Sequence, residues 1–257
     1  MKKTILLLSG ASEGPVLAQA LLQAGFAIIA TVTREAARQH LFGQLQHAIT
    51  VEVGGFTAES LEHFLAQSEV DLVLDATHPF AVRITQIAAA VCSRMHLPYI
   101  RYQRPDWEPP VGTVYAASYA EAADMLPALG SRILLTIGAK QLKYFAPLHD
   151  RLTLFARVLP SPLSVQQALD AGFAQANIIA VRPPFSLEFN QSILREYKID
   201  VLVTKASGVA GGVVEKVMAA HTLGLTTLMI RRPEPAALPL VSTLEAAVHA
   251  CQELLSE

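Results

Sequence analysis

Cysteine is scarce in this chain: Cys92 and Cys251 are the only two. Each is in phase with an apolar helical stripe and neither sits in a Cys-x-x-Cys or Cys/His spacing. That excludes a disulfide scaffold and a cysteine-built zinc site. Both are expected as buried thiols of a reducing cytoplasm. Charge is thin as well, 16% of residues with a formal net of −2, so neither nucleic acid nor an anionic membrane surface is expected as a partner. Long apolar runs are missing. The longest, at 4–8 and 26–32, are strand-length, against the roughly 20 residues of a membrane helix. The start Met1-Lys2-Lys3-Thr4-Ile5 has the outline of a secretory signal, but Gly10, Ser12 and Glu13 cut its apolar core short and no small-residue cleavage site follows. It is read as a first strand. The eight histidines are scattered without ligand spacing, so no resident metal is expected.

What is present is apolar alternation. A 52% hydrophobic fraction over 257 residues is enough for one large or two modest domains. Strand-length aliphatic runs near 4–9, 26–32, 49–53, 70–75 and 98–101 alternate with helical patterns at 14–24, 34–42, 58–68 and 80–96. This is the pattern of a doubly wound parallel sheet. The stretch Arg101-Tyr-Gln-Arg104-Pro-Asp-Trp107-Glu-Pro-Pro-Val-Gly112 reads as extended linker, because its prolines disfavour regular elements. After it, strands near 133–137, 153–158, 177–181, 200–204 and 226–230 alternate with helices near 119–128, 162–171, 186–196, 211–222 and 243–255. The expectation is an α/β protein of two Rossmann-like, doubly wound parallel-sheet domains facing each other across a cleft: residues 1–103 bind a dinucleotide, 104–112 link, and 113–257 contribute to the substrate cleft.

The most informative segment is 70–81, an aliphatic run ending in Asp75-Ala76-Thr77-His78-Pro79-Phe80-Ala81. A strand buried on both faces is continuously apolar, and the loop at its carboxyl end is where open α/β sheets bind ligands. Asp75, Thr77 and His78 are therefore the candidate catalytic residues, with His78 suited by its ordinary pKa to act as a general acid. Pro79 suits the first turn of a helix whose buried stripe is Ile84, Ile87, Ala88, Val91 and Met95. The plain alternative is a polar strand-to-helix turn with Thr77 as a cap.

The first strand runs into Ser9-Gly10-Ala11-Ser12-Glu13-Gly14-Pro15. Free N–H groups at the helix start and unhindered glycines suit a phosphate, although the spacing is not the full Gly-x-Gly-x-x-Gly fingerprint. Glu13 would repel a phosphate beside it and is expected to face a ribose hydroxyl. The second strand ends in Thr31-Val32-Thr33-Arg34. A base at this tip accommodates a 2′-phosphate, which favours NADPH, while the adjacent Glu35 keeps NADH open. Gly10, Ala11, Ser12, Glu13, Gly14, Thr33, Arg34, Thr77 and Pro79 are the cofactor-binding candidates.

In the second half, Thr204-Lys205-Ala206-Ser207-Gly208-Val-Ala-Gly211-Gly212-Val-Val-Glu215-Lys216 repeats the strand, polar turn and helix order. Its lysines, hydroxyl and glycines suit a carboxylate or phosphate, and it is not a Walker loop. Gly138 and Lys140, Arg182-Pro183-Pro184-Phe185-Ser186, and Arg101 and Arg104 beside Trp107 complete the polar rim. Trp107 is read either as a flat surface for a ring system or as a plug between domains.

Taken together, Asp75-Ala-Thr-His78-Pro-Phe-Ala, Arg101-Tyr-Gln-Arg104-Pro-x-Trp107, Leu135-Thr-Ile-Gly138-Ala-Lys140, Pro184-Phe185-Ser186 and Thr204-Lys205-x-Ser207-Gly208-x-x-Gly211-Gly212 resemble the precorrin-6A reductase family of cobalamin biosynthesis over nearly the whole chain. The resemblance implies a cytoplasmic oxidoreductase that uses a nicotinamide cofactor to reduce a double bond of precorrin-6A or its cobalt-bearing counterpart. It further implies transient contacts with neighbouring enzymes of that pathway. An anionic tetrapyrrole with acetate and propionate arms suits a rim of Arg101, Arg104, Gly138, Lys140, Ser186, Lys205, Ser207, Gly208, Gly211, Gly212 and Lys216.

Overall fold

The computed structural model describes residues 2–10, 12–105, 107–209, 212–233 and 238–256; Ala11 and Gly211, two of the candidate site residues, lie outside them. The first unit begins with β1 (Thr4–Ser9), α1 (Glu13–Gln23), β2 (Ala27–Val32), α2 (Glu35–Phe42), β3 (Thr50–Val53), α3 (Ala58–Gln67), β4 (Leu72–Ala76), α4 (Val82–Met95) and β5 (Tyr99–Tyr102). The second holds β6 (Val114–Ala116), α5 (Tyr119–Leu129), β7 (Arg132–Leu135), β8 (Thr153–Val158), α6 (Pro162–Asp170), β9 (Ile178–Ala180), α7 (Leu187–Glu196), β10 (Val201–Lys205), α8 (Val213–Thr222) and β11 (Thr226–Ile230). The chain closes with β12 (Leu240–Val241) and α9 (Leu244–Leu255).

Each unit is built on a six-stranded parallel sheet, in the orders β3-β2-β1-β4-β5-β12 and β9-β8-β7-β10-β11-β6. Both follow the Rossmann order, with a switch point between β1 and β4 in one sheet and between β7 and β10 in the other. At the centre of the first sheet β1 and β4 are buried on both faces because their runs are almost wholly aliphatic. Ile5 and Leu7 pack with Leu17 and Leu21 on one face, while Leu6 and Leu8 pack with Leu61 and Val91 on the other. Each buried leucine contributes about 2 kcal/mol, which is what makes a two-sided strand preferable to an exposed edge.

The domain boundaries expected from sequence need correction. The units are Met1–Pro105 with Pro233–Glu257, and Asp106–Arg232. The chain therefore returns to its first unit, where β12 pairs with β5 and the Ala247/Cys251 stripe of α9 joins the core of Leu17 and Leu21. Nor is 104–112 simply a linker, since Trp107 packs with Val213, Val217 and Met229 in the second unit. Among the described residues no helix is long and apolar enough to cross a membrane.

Candidate functional site

In the first unit, register places Leu8 opposite Asp75 and Ser9 opposite Ala76 at the switch point. Asp75 is fully buried. Its Oδ1 accepts from the Thr77 backbone N–H (2.9 Å) and Arg101 Nη1 (2.6 Å), and its Oδ2 accepts from Thr85 Oγ1 and Tyr99 Oη (both 2.8 Å). Burial, then the Asp75 charge, pushes the Tyr99 phenol far upward, so it stays a donor. Arg101 also donates to the Asp75 carbonyl, the Thr77 hydroxyl (2.9 Å) and the Thr77 carbonyl (2.9 Å). With four donors on its carboxylate, Asp75 fixes the β4 tip, and Arg101, only 2% exposed, is bound into the same tip.

His78 follows on the same tip, with its Nδ1 accepting from the Phe80 backbone N–H at 3.1 Å; that bond holds the neutral ring in the tautomer with its proton on Nε2. Pro79 is buried in a turn closed by Ala81 N–H to His78 O (2.7 Å), and α4 starts only at Val82. The expected proline at a first helical turn is thus displaced by this turn. Beside the tip lies a cavity of ≈ 310 Å³ lined by Pro79, Val82, Thr85, Ala89, Arg101 and Leu238 among others.

At the end of β1, a Cβ on Gly10 would meet nothing within 4 Å, so the space in front of it is open. A Cβ on Gly14 would lie 2.0 Å from Ser9 Oγ and 3.1 Å from the Phe42 ring. Gly14 thus lets α1 close on the strand tip, the role of the packing glycine in dinucleotide folds. Ser9 Oγ is buried and has no hydrogen-bond partner among the described residues, an orphan hydroxyl of the kind a ligand satisfies. Ser12 stands at the N-cap of α1 without capping it and donates to Glu13 Oε2. Glu13 is gripped by Arg104 through Nε (2.6 Å) and Nη2 (2.7 Å). The acid expected to face a ribose and the arginine expected to face a substrate arm thus face each other.

Thr33 and Arg34 are exposed at the β2 tip, Arg34 being the N-cap of α2. A further cavity of ≈ 160 Å³ at the ends of β2 and β3 is lined by Thr31, Glu52, Gly54, Gly55, Phe56 and Ser60 among others. Sequence reasoning passed over it, although Gly54-Gly55-Phe56 after a strand is itself a turn signal.

In the second unit, Gly138 has φ 88° and starts the short 3-10 turn Ala139–Tyr144, with Lys140 exposed on it. Gly208 and Gly212 also need positive φ, 77° and 62°, and Gly212 is the N-cap of α8. Ser186 caps α7 by accepting from Phe189 N–H. Lys205 ends β10, and burial pulls its ammonium down to about 8. Ser207 is buried just beyond it. Lys216 is 9% exposed. Burial first, then the charges of Arg157 and Lys205, bring it down to about 7, against the opposing pull of Glu215.

Arg157 is the residue that sequence reasoning missed. It is the one charge in the β8 run Thr-Leu-Phe-Ala-Arg-Val and is 8% exposed. Burial draws its guanidinium down to about 10. A lone arginine inside an apolar parallel strand was the available signal.

The comparisons with known proteins agree with this geometry. The family profile described as precorrin-6x reductase CbiJ/CobK matches residues 4–252. A cobalt-precorrin-6A reductase of Synechocystis sp. is 33% identical over 261 residues, covering 98% of this chain and 97% of that protein. A precorrin-6A reductase of Rhodococcus erythropolis is 36% identical over 252 residues, 95% of each. The solved structure of CobK precorrin-6A reductase superposes with a TM-score of 0.81 at 26% identity, covering 99% of this chain and 98% of that one. With two Rossmann-ordered sheets, a glycine-closed strand tip at the first switch point and a match over nearly its whole length, this chain belongs to the precorrin-6x reductase CbiJ/CobK family of oxidoreductases.

Proposed function

We propose that this chain catalyses the NADPH-dependent reduction of a double bond in the macrocycle of precorrin-6A or of its cobalt-bearing counterpart. The observation that carries the reading is the first switch point, where Gly10 faces open space and the buried Ser9 hydroxyl lacks a partner among the described residues. The residues fit a dinucleotide. Backbone N–H groups around Gly10, Ser12 and Gly14 suit its pyrophosphate, Thr33 and Arg34 its ribose 2′-phosphate, and the Gly54-Gly55-Phe56 cavity its adenine. Thr77, Pro79 and the apolar cavity beside them suit the nicotinamide end.

A bound nicotinamide cofactor supplies the hydride. The chain's own work is positioning. Asp75 accepts from the Thr77 N–H while Arg101 donates to the Thr77 carbonyl and hydroxyl, and the Phe80 N–H keeps His78 in the tautomer whose Nε2 donates. In the second unit Lys140, Lys205, Ser207, Gly208, Gly212 and Lys216 hold the carboxylate arms by charge-assisted hydrogen bonds. The test is anaerobic oxidation of NADPH and, separately, NADH with metal-free and cobalt precorrin-6A, product mass being read in parallel. A two-hydrogen mass gain with NADPH is expected. Tight macrocycle binding with no turnover on either nicotinamide would replace the reductase reading with that of a tetrapyrrole carrier.

A further inference from the structure

At the β4 tip the direction of each hydrogen bond follows from the chemistry of its atoms. A carboxylate only accepts, so Tyr99 Oη of β5 and Thr85 Oγ1 of α4, each 2.8 Å from Asp75 Oδ2, both donate to it. Thr85 then has no proton left for its neighbour Thr77 Oγ1, 3.5 Å away. The Arg101 guanidinium carries donors alone, and its Nη1 donates to Thr77 Oγ1 at 2.9 Å while reaching Asp75 Oδ1 at 2.6 Å. The Thr77 hydroxyl thus receives a hydrogen bond from a cation. Its own proton meets, among the described residues, nothing better than Thr85 Oγ1, at a length beyond the ordinary range.

The main chain of Thr77 is held by the same pair, its N–H donating to Asp75 Oδ1 and its carbonyl accepting from Arg101 Nη2, both at 2.9 Å. Asp75, Thr85, Tyr99 and Arg101 are all buried, whereas Thr77 is half-buried, so the network opens toward solvent at Thr77. A hydroxyl that accepts from a cation becomes a stronger donor, because hydrogen bonds in series polarise one another. Such a hydroxyl recognises an acceptor oxygen, and it stands on the strand tip where an open α/β sheet holds its ligand. The guanidinium charge is already met by Asp75, so the tip calls for a neutral acceptor. The cavity beside it, lined by Thr85 and Arg101 with Pro79, Val82 and Ala89 among others, suits a flat ring.

We propose that Thr77 is a specificity-determining donor whose hydroxyl bonds to the carboxamide oxygen of a bound nicotinamide, and that Thr85 and Tyr99 are positioning residues acting on it through Asp75. The proposal deepens the reductase reading and rests on it for the presence of a nicotinamide. A ribose or phosphate oxygen would satisfy the same donor, so the test separates the two ends of the cofactor.

Full-length protein is titrated with three ligands: NADPH, its thionicotinamide analogue, whose sulfur is a weaker acceptor than oxygen, and 2′-phospho-ADP-ribose, which lacks the nicotinamide. Thr77→Val keeps the shape and removes the donor. It should weaken NADPH by about 10-fold, the order expected for one acceptor left unpaired, and leave 2′-phospho-ADP-ribose unchanged. The parent should prefer NADPH over the thio analogue, and that preference should vanish in Thr77→Val and persist in Thr77→Ser. Tyr99→Phe and Thr85→Val should each narrow the preference in part, and Thr77→Val added to either should cost less than it does alone. Thermal melts of each variant separate lost binding from lost fold. No preference in the parent, or one that folded Thr77→Val retains, overturns the proposal and leaves the reductase reading standing. Equal losses for NADPH and 2′-phospho-ADP-ribose also overturn it, moving Thr77 to the part of the cofactor they share. Lower melting of Tyr99→Phe and Thr85→Val with an intact preference removes their positioning role. A Thr77-dependent preference in a protein that reduces no precorrin upholds the proposal and removes the reductase reading.

Discussion

Arg101 Nη1 lies 2.6 Å from Asp75 Oδ1, with both side chains almost wholly out of solvent. A buried pair of this kind adds little over an apolar substitute, but removing one partner strands the other charge. Asp75→Ala is therefore expected to cost about 3–5 kcal/mol in urea unfolding and to lower turnover, because Thr77 loses the groups that fix it. Asp75→Asn keeps the volume and one acceptor and should recover part of both. An unchanged unfolding midpoint in Asp75→Ala would contradict the role assigned to the pair.

Gly14 is defined by what its missing Cβ would strike. Gly14→Ala places that atom against Ser9 Oγ and the Phe42 ring, and overpacking of this kind costs about 1–3 kcal/mol. Adding Ser9→Ala removes the nearest obstacle but leaves the Ser9 Cβ, 3.0 Å away. The double variant should thus be more stable than the sum of the single effects predicts. Equilibrium unfolding of the four proteins in a cycle measures this coupling.

For His78, the Phe80 N–H on Nδ1 favours a hydrogen-bond donor over an imidazolium acid. His78→Ala should reduce kcat/KM by about 10- to 100-fold, the worth of a hydrogen bond to a charged group. His78→Gln, which also carries a donor, should stay within about tenfold. The pH–rate profile should keep its shape in both. Loss of an acidic limb in both variants would instead make His78 the proton donor.

Arg34 stands exposed at the β2 tip as the N-cap of α2. Arg34→Ala is expected to weaken NADPH by about 10- to 100-fold while leaving NADH nearly unchanged, since only the former brings a 2′-phosphate. Fluorescence titration with each nucleotide decides it. Equal losses for both would assign Arg34 to the shared part of the cofactor.

Lys216, held near 7 against its ordinary 10.5, sets a pH dependence of stability. The unfolded chain binds the proton more tightly, so the burial penalty is full below about 7 and shrinks as pH rises toward 10.5. Lys216→Met should melt higher than the parent below neutrality, and the advantage should narrow steadily above it. Melting curves across that range check the sign.

Much of this molecule is written locally. The runs that became β1 and β4 are continuous aliphatic stretches because parallel strands are buried on both faces, and the polar residues ending them, Asp75, Thr77, His78 and Lys205, sit where strand meets loop whatever the partner strands are. The two Rossmann-like sheets and the family motifs were legible for that reason. Local periodicity says that a helix has a buried face and not which core it covers. So α9, read from its stripe alone, was assigned with the second half of the chain, whereas Ala247 and Cys251 close the core of the first.

The same distinction governs the charges. Composition shows that Arg101, Arg104, Glu13 and Asp75 exist, but Arg104 and Glu13 are 91 residues apart and meet only once β5 is beside β4 and α1 lies over the tip of β1. Residue types and their order determined the fold class, the strand tips and the family. Tertiary packing alone decided which cations are spent on carboxylates of the same unit, because electrostatic pairing acts through space and has no period along a chain.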